Sequence, residues 1–199
     1  MTEQHIRQQK RALRLRMRQL RRRQPNKEEA AARVFAELMQ SPEYRNATTL
    51  LFYVSLPDEL PTHCAISDAL SQGKRVVVPY CVGLDLGLFH LTDFEELQPG
   101  SLGILEPKLQ LRYLQGREVA PSSLDLLIVP GLAFTPRGAR LGQGRGYYDR
   151  LIPTLKDQAY LVGVAFECQL LESLPVAAHD AEMQIVITEK AVYHQNSGV

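Results

Sequence analysis

Leu126-Leu127-Ile128-Val129-Pro130-Gly131, and shortly after it Arg140-Leu141-Gly142-Gln143-Gly144-Arg145-Gly146-Tyr147-Tyr148-Asp149, decide how this chain is read. A continuous apolar run closed by Pro-Gly fits a strand covered on both faces. The three alternating glycines with a carboxylate close behind complete the order of buried strand, glycine-rich loop and helix start. Alternating glycines let successive backbone N–H groups turn toward one point, and such a nest accepts phosphate oxygens. The start of the following helix would add its dipole, and Asp149 could hold a Mg²⁺ against the same phosphates. The loop is neither a Walker A motif, lacking Gly-Lys-Ser/Thr, nor the Gly-x-Gly-x-x-Gly dinucleotide fingerprint. A plain tight turn whose glycines only supply positive φ is the alternative. The flanking Arg140, Arg145 and Asp149 favour phosphate.

Outward from this stretch, strands and helices alternate. Strand-like runs fall at 49–54, 75–79, 86–91, 125–129, 161–165 and 185–187. Helical patterns fall at 3–23, 26–39, 62–71 and 146–156, with Pro153 expected to shorten the last. Asn26 is the expected N-cap of the second helix, with Glu29 as its capping-box partner and Ala30, Val34 and Leu38 as its buried face. The alternation predicts an α/β fold, a three-layer sandwich with a mostly parallel central sheet flanked by helices. Ligands in such sheets bind beyond the carboxyl ends of the strands. Residues 1–199 are expected to form a single unit of N-terminal helices (3–40), an α/β core (48–190) and a short C-terminal tail.

Composition is that of an ordinary globular protein, with 45% hydrophobic and 23% charged residues among 199. No apolar run approaches the ~20 residues of a membrane span. The N-terminus lacks the apolar core of a secretion signal. Cys64, Cys81 and Cys168 are scattered, which argues against a disulfide or zinc framework and for a reducing cytoplasmic setting. The five histidines show no metal-ligand spacing. Net charge is only +1, yet residues 7–23 carry Arg7, Lys10, Arg11, Arg14, Arg16, Arg18, Arg21, Arg22 and Arg23 without one acid, so an anionic partner is expected there. On a helical wheel Ile6, Leu13, Met17 and Leu20 form an apolar stripe. Lys10 and Arg14 border it one turn apart, and Arg11, Arg18 and Arg22 point further out.

The run Val129-Pro130-Gly131-Leu132-Ala133-Phe134, then Gly138-x-Arg140-Leu141-Gly142-x-Gly144-x-Gly146-Tyr147-Tyr148-Asp149, resembles the signature of the 5-formyltetrahydrofolate cyclo-ligase family. Lys10-Arg11-x-Leu13-Arg14, Asp58-Glu59 and His179-Asp180 match the same family in the same order, so the resemblance runs from Lys10 to Glu189. It implies an ATP- and Mg²⁺-dependent conversion of 5-formyltetrahydrofolate to 5,10-methenyltetrahydrofolate. It also implies ATP contacts at Lys10, Arg11, Arg14, Arg140, Gly142, Gln143, Gly144, Arg145, Gly146, Tyr147, Tyr148 and Asp149, with Arg145 and Asp149 catalytic. Folate contacts would be Val54, Glu59 and Tyr147, and metal ligands Asp149 and Asp180. Three positions depart from the family pattern: Gln143 where an aromatic or basic residue is common, and Thr135 and Gln184 where Asp is common.

The expected partners are small molecules, a reduced folate and ATP, with no membrane and no obligatory nucleic acid, in a monomer or weak homo-oligomer. Two other readings stay open on the residues alone. The Arg-rich helix could bind nucleic acid, or the sheet could carry another phosphate-substrate enzyme, such as a sugar-phosphate isomerase or an acyl-CoA transferase, that needs no ATP.

Overall fold

The computed structural model describes residues 3–100, 103–156, 159–175 and 180–195. Three helices come first: α1 (Glu3–Arg22), α2 (Lys27–Gln40) and α3 (Pro42–Asn46). Then follow β1 (Thr49–Leu51), α4 (His63–Ser71), β2 (Arg75–Val82), β3 (Asp85–Leu91), β4 (Leu97–Pro99), β5 (Leu105–Pro107) and α5 (Leu109–Arg112). The remainder is β6 (Leu126–Val129), β7 (Ala133–Phe134), β8 (Arg140–Leu141), α6 (Tyr147–Leu151), β9 (Tyr160–Val164), β10 (Ile185–Ile187) and β11 (Val192–His194).

Seven strands form one sheet in the order β11-β10-β9-β6-β1-β2-β3. The five central strands are parallel and both edge strands antiparallel. Leu50, Val76, Val78, Leu126 and Ile128 enter one core with Val34 and Leu38 of α2. Leu51, Val77, Leu127 and Val129 enter the other, with Leu151 of α6. Burial on both sides is why these strands read as unbroken apolar runs instead of alternating ones. Helices therefore lie on both faces of the sheet, as the sequence predicts. Among the described residues no helix is long and apolar enough to cross a membrane.

Two predicted local features are corrected. Asn26 adopts a left-handed conformation (φ 49°, ψ 44°) and its side chain caps nothing, so the capping box with Glu29 does not form. Asn tolerates this region, and here it lies in the short connection between α1 and α2. The glycine loop also does not follow β6 directly. The chain first makes the small antiparallel ribbon β7–β8, so Arg140 and Leu141 are strand residues. Met17 of α1 is fully buried against that ribbon, beside Leu132, Ala133 and Leu141. Burial of such a side chain contributes about 1.5–3 kcal/mol and holds α1 across the end of the sheet. Pro153 acts as expected: α6 ends at Leu151 and passes into a single 3₁₀ turn.

Candidate active site

From β1 the chain winds to β2 on one side, then returns to β6 and continues outward through β9 and β10 on the other. The reversal between β1 and β6 opens a crevice beyond their carboxyl ends, the place where ligands bind in open α/β sheets. A cavity of about 310 Å³ lies there, lined by Tyr53 and Val54 after β1 and Pro130 after β6.

One end of the cavity is cationic. Gly144 (φ +99°) and Gly146 (φ +70°) take left-handed conformations. Among the described residues no N–H from Gly142 to Gly146 donates to another protein group. The loop that borders the cavity thus carries donors without a protein partner among the described residues, the property that makes backbone nests bind anions. α6 has only five residues, so the exposed amides, and not a long helix dipole, supply the field. From α1, Lys10, Arg14 and Arg18 reach the cavity at successive turns. Lys10 is ion-paired with Asp180. Arg14 Nε donates to the Gly142 carbonyl at 3.0 Å, and Arg18 Nη2 to Gln143 Oε1 at 3.1 Å. Burial, and then Arg18, pull the Arg14 pKa below its usual value, against the opposing pull of Asp180 and Asp149. Arg140 is buried; it is ion-paired with Asp149 and donates to the Pro130 carbonyl at 3.3 Å. Arg145 lines the mouth, and its side chain makes no hydrogen bond or ion pair among the described residues.

The other end is aromatic and apolar. Tyr53, Val54, Leu56, Pro79, Tyr80 and Ile104 line it. The Tyr80 ring crosses its strand partner Gly87, where a Cβ would stand 2.3 Å from the ring. Arg112 covers that ring at 4.5 Å from its centroid and pairs at 3.1 Å with the buried carboxylate of Glu106, carried in by β5. Glu59, only 8% exposed, accepts from Arg21 Nη1 at 3.3 Å, from the Leu56 amide at 3.1 Å and from Gln143 Nε2 at 3.3 Å. The Tyr148 hydroxyl is enclosed and without a partner among the described residues. Burial, and then nearby Glu59, push its pKa up, so it stays a neutral donor.

Asp149 and Asp180 are both in the cavity lining. Among the described residues no three His, Cys, Asp or Glu side chains group to hold a metal. Two carboxylates beside a phosphate-binding loop do not make a preformed cage. They do fit Mg²⁺, which keeps most of its waters and takes one or two carboxylates plus substrate phosphates.

Residues 6–189 match the 5-formyltetrahydrofolate cyclo-ligase family. The chain belongs to this family. A 5-formyltetrahydrofolate cyclo-ligase of Escherichia coli is 35% identical over 171 residues, covering 83% of this chain and 91% of that protein. A probable 5-formyltetrahydrofolate cyclo-ligase of Caenorhabditis elegans is 31% identical over 166 residues, 78% of this chain and 80% of that one. The NMR structure of Aquifex aeolicus 5,10-methenyltetrahydrofolate synthetase superposes with a TM-score of 0.81 at 30% identity, covering 96% of this chain and 94% of that chain.

In this cyclo-ligase fold, the sequence-predicted residues mostly converge. Lys10, Arg14, Arg140, Gly142 to Asp149, Val54, Glu59 and Asp180 all line one cavity at the switch point. Arg11 does not; it is exposed on α1 away from the lining. Arg18, expected to point outward, reaches in to Gln143 because its long stem spans the gap. Gln143 links Arg18 to Glu59, so this departure from the family pattern joins the two ends of the cavity. Gln184 lies outside the lining, its side chain accepting the Leu161 amide at 2.8 Å, and Thr135 accepts the Ala139 amide at 3.1 Å. His179 lies outside the described residues. Tyr80, Glu106 and Arg112 carry no motif. Only the position of Gly87 opposite an aromatic residue in a hairpin hinted at the packed ring.

Proposed function

We propose that this chain converts 5-formyltetrahydrofolate to 5,10-methenyltetrahydrofolate with ATP and Mg²⁺. The observation that carries the reading is the two-ended cavity. Unpaired glycine amides and converging cations lie at one end, an aromatic wall with a buried carboxylate at the other, in a member of a cyclo-ligase family.

An N-formyl group is an amide, and its carbon is a poor electrophile. The formyl oxygen attacks the γ-phosphorus of ATP, ADP leaves, and the oxygen becomes part of a phosphate leaving group. N10 then attacks the activated carbon, which closes the five-membered ring, and loss of phosphate and of the N10 proton leaves the methenyl bridge. No enzyme nucleophile is required; the protein positions the reactants and neutralises charge. Lys10, Arg14, Arg140 and the amides of Gly142 to Gly146 hold the phosphates. Arg145 stabilises charge on the group in transfer. Asp149 and Asp180 would hold Mg²⁺, whose charge offsets that of the polyphosphate. Glu59 accepts from the donor-rich edge of the pterin. Val54 and Tyr147 flank the ring, and Tyr148 donates its hydroxyl into the same space.

The test mixes the full chain with 5-formyltetrahydrofolate, Mg²⁺ and ATP and follows methenyl absorbance in the near ultraviolet. The expected result is a signal that requires ATP and releases one phosphate per product. No ATP-dependent signal from protein that melts cooperatively refutes the proposal.

A further inference from the structure

Glu59, the carboxylate assigned above to the pterin edge, already has its acceptor sites largely filled. Among the described residues three donors reach it. Arg21 Nη1 and Gln143 Nε2 each stand 3.3 Å from Oε1, and the Leu56 amide stands 3.1 Å from Oε2. An ionised carboxylate offers about four acceptor sites, two on each oxygen. The pterin edge carries an amino group and a ring N–H side by side, so two parallel bonds need one open site on each oxygen. Oε2 keeps one. Oε1 does not, because Gln143 fills it.

The three donors differ in whether they can leave. The Leu56 amide is fixed by a tight turn, in which its own carbonyl accepts the Glu59 N–H at 2.9 Å. The Arg21 side chain is 3% exposed and ion-paired with both Asp58 and Glu59, so its withdrawal would strand buried charge. Gln143 is exposed, and water can take over its bonds when the side chain swings out. Its other end is held by Arg18 Nη2, 3.1 Å from its Oε1. That pair also fixes which way the amide faces. The reverse orientation would set its oxygen against the carboxylate and its NH₂ against the guanidinium.

We propose that Gln143 is a specificity-determining stand-in for the pterin edge. Its NH₂ group holds the place on Glu59 Oε1 that a ring donor takes, and a folate binds by displacing it. The inference rests on the folate role of Glu59 given above. A ligand with two adjacent donors must evict Gln143, whereas a ligand with one donor uses the open site on Oε2 and leaves it in place.

The test is equilibrium binding of 5-formyltetrahydrofolate, without nucleotide, to full-length wild type, Gln143→Met and Gln143→Ala. Methionine keeps the length of the side chain and removes the donor. Gln143→Met is expected to tighten binding about fivefold, the worth of one such bond, and Gln143→Ala at least as much. For the 2-desamino analogue of the same folate, which keeps only the ring N–H, the gain is expected to be less than about twofold. Unchanged or weaker affinity in Gln143→Met, a gain confined to Gln143→Ala, or an equal gain for the desamino analogue overturns the stand-in alone. Glu59→Gln is the control for the underlying reading, with Glu59→Asp in its place should the first lose a cooperative melt, and it is expected to weaken binding about tenfold or more. Wild-type affinity in that control overturns the folate role of Glu59 and the stand-in with it.

Discussion

Gly144→Ala tests how the glycine loop is built and what it is for. The residue sits at φ +99°, and a Cβ there would stand 3.2 Å from Cζ and 3.3 Å from Nε of Arg14. Forcing a side chain into this backbone region costs about 1–2 kcal/mol. The guanidinium must also retreat by a few tenths of an ångström, which weakens its 3.0 Å bond to the Gly142 carbonyl. That part-exposed bond contributes about 1 kcal/mol. The sum, about 2–3 kcal/mol, corresponds to a fall in Tm of roughly 4–12 °C for a chain of this size. The displaced Arg14 is a proposed phosphate contact, so affinity for a Mg²⁺–nucleotide analogue should fall about tenfold or more. Calorimetry measures both quantities on the same sample. Gly73→Ala is the control: its φ is +73° and its Cβ would meet nothing within 4 Å. It carries the backbone strain alone and leaves nucleotide affinity unchanged. Undiminished affinity in Gly144→Ala, or an equal loss in Gly73→Ala, refutes the argument.

Asp149→Asn should lower turnover about 100-fold or more while the protein still melts cooperatively, since it removes both the partner of Arg140 and a proposed metal ligand; near-normal kcat removes Asp149 from that role. Glu59→Gln strips the charge that faces Arg21, which is 3% exposed and, among the described residues, is otherwise ion-paired with Asp58 at 3.5 Å. Stability should drop by about 2–3 kcal/mol, and an unchanged urea midpoint contradicts this. Burial disfavours ionisation of Asp125, but the bond from Lys156 and the amides of Thr49 and Thr48 outweigh it and hold its carboxyl below the usual range. A carboxyl depressed in the folded state contributes stability that is present above its unfolded pKa of about 4 and is lost as pH falls through the folded value. Acid unfolding below about pH 4 should therefore be shallower in Asp125→Asn; identical acid profiles for variant and wild type exclude the contribution.

Much of the fold was legible because it rests on local periodicity. Continuous apolar runs marked the central strands, and a stripe through Met17 marked the buried face of α1. Proline at position 153 marked the shortening of α6. The short ribbons β4–β5 and β7–β8 escaped, because two or three residues interrupted by proline and glycine carry no readable period. Asn26 misled because the same residue suits both a cap and a left-handed turn, and only the direction of the following chain chooses between them.

The residues themselves determined which chemistry was on offer: alternating glycines, a basic run over residues 7–23 free of acids, and a few carboxylates at motif positions. The folded chain decided who meets whom. Lys10 reaches Asp180, Arg18 reaches Gln143, and Glu106 enters the wall with Arg112 over Tyr80. Partners so distant in the chain leave no periodic trace, since long-range pairing depends on strand order and on where each loop returns. That is also why cations and acids that look like separate binding elements in the sequence stand in the structure as each other's counter-ions.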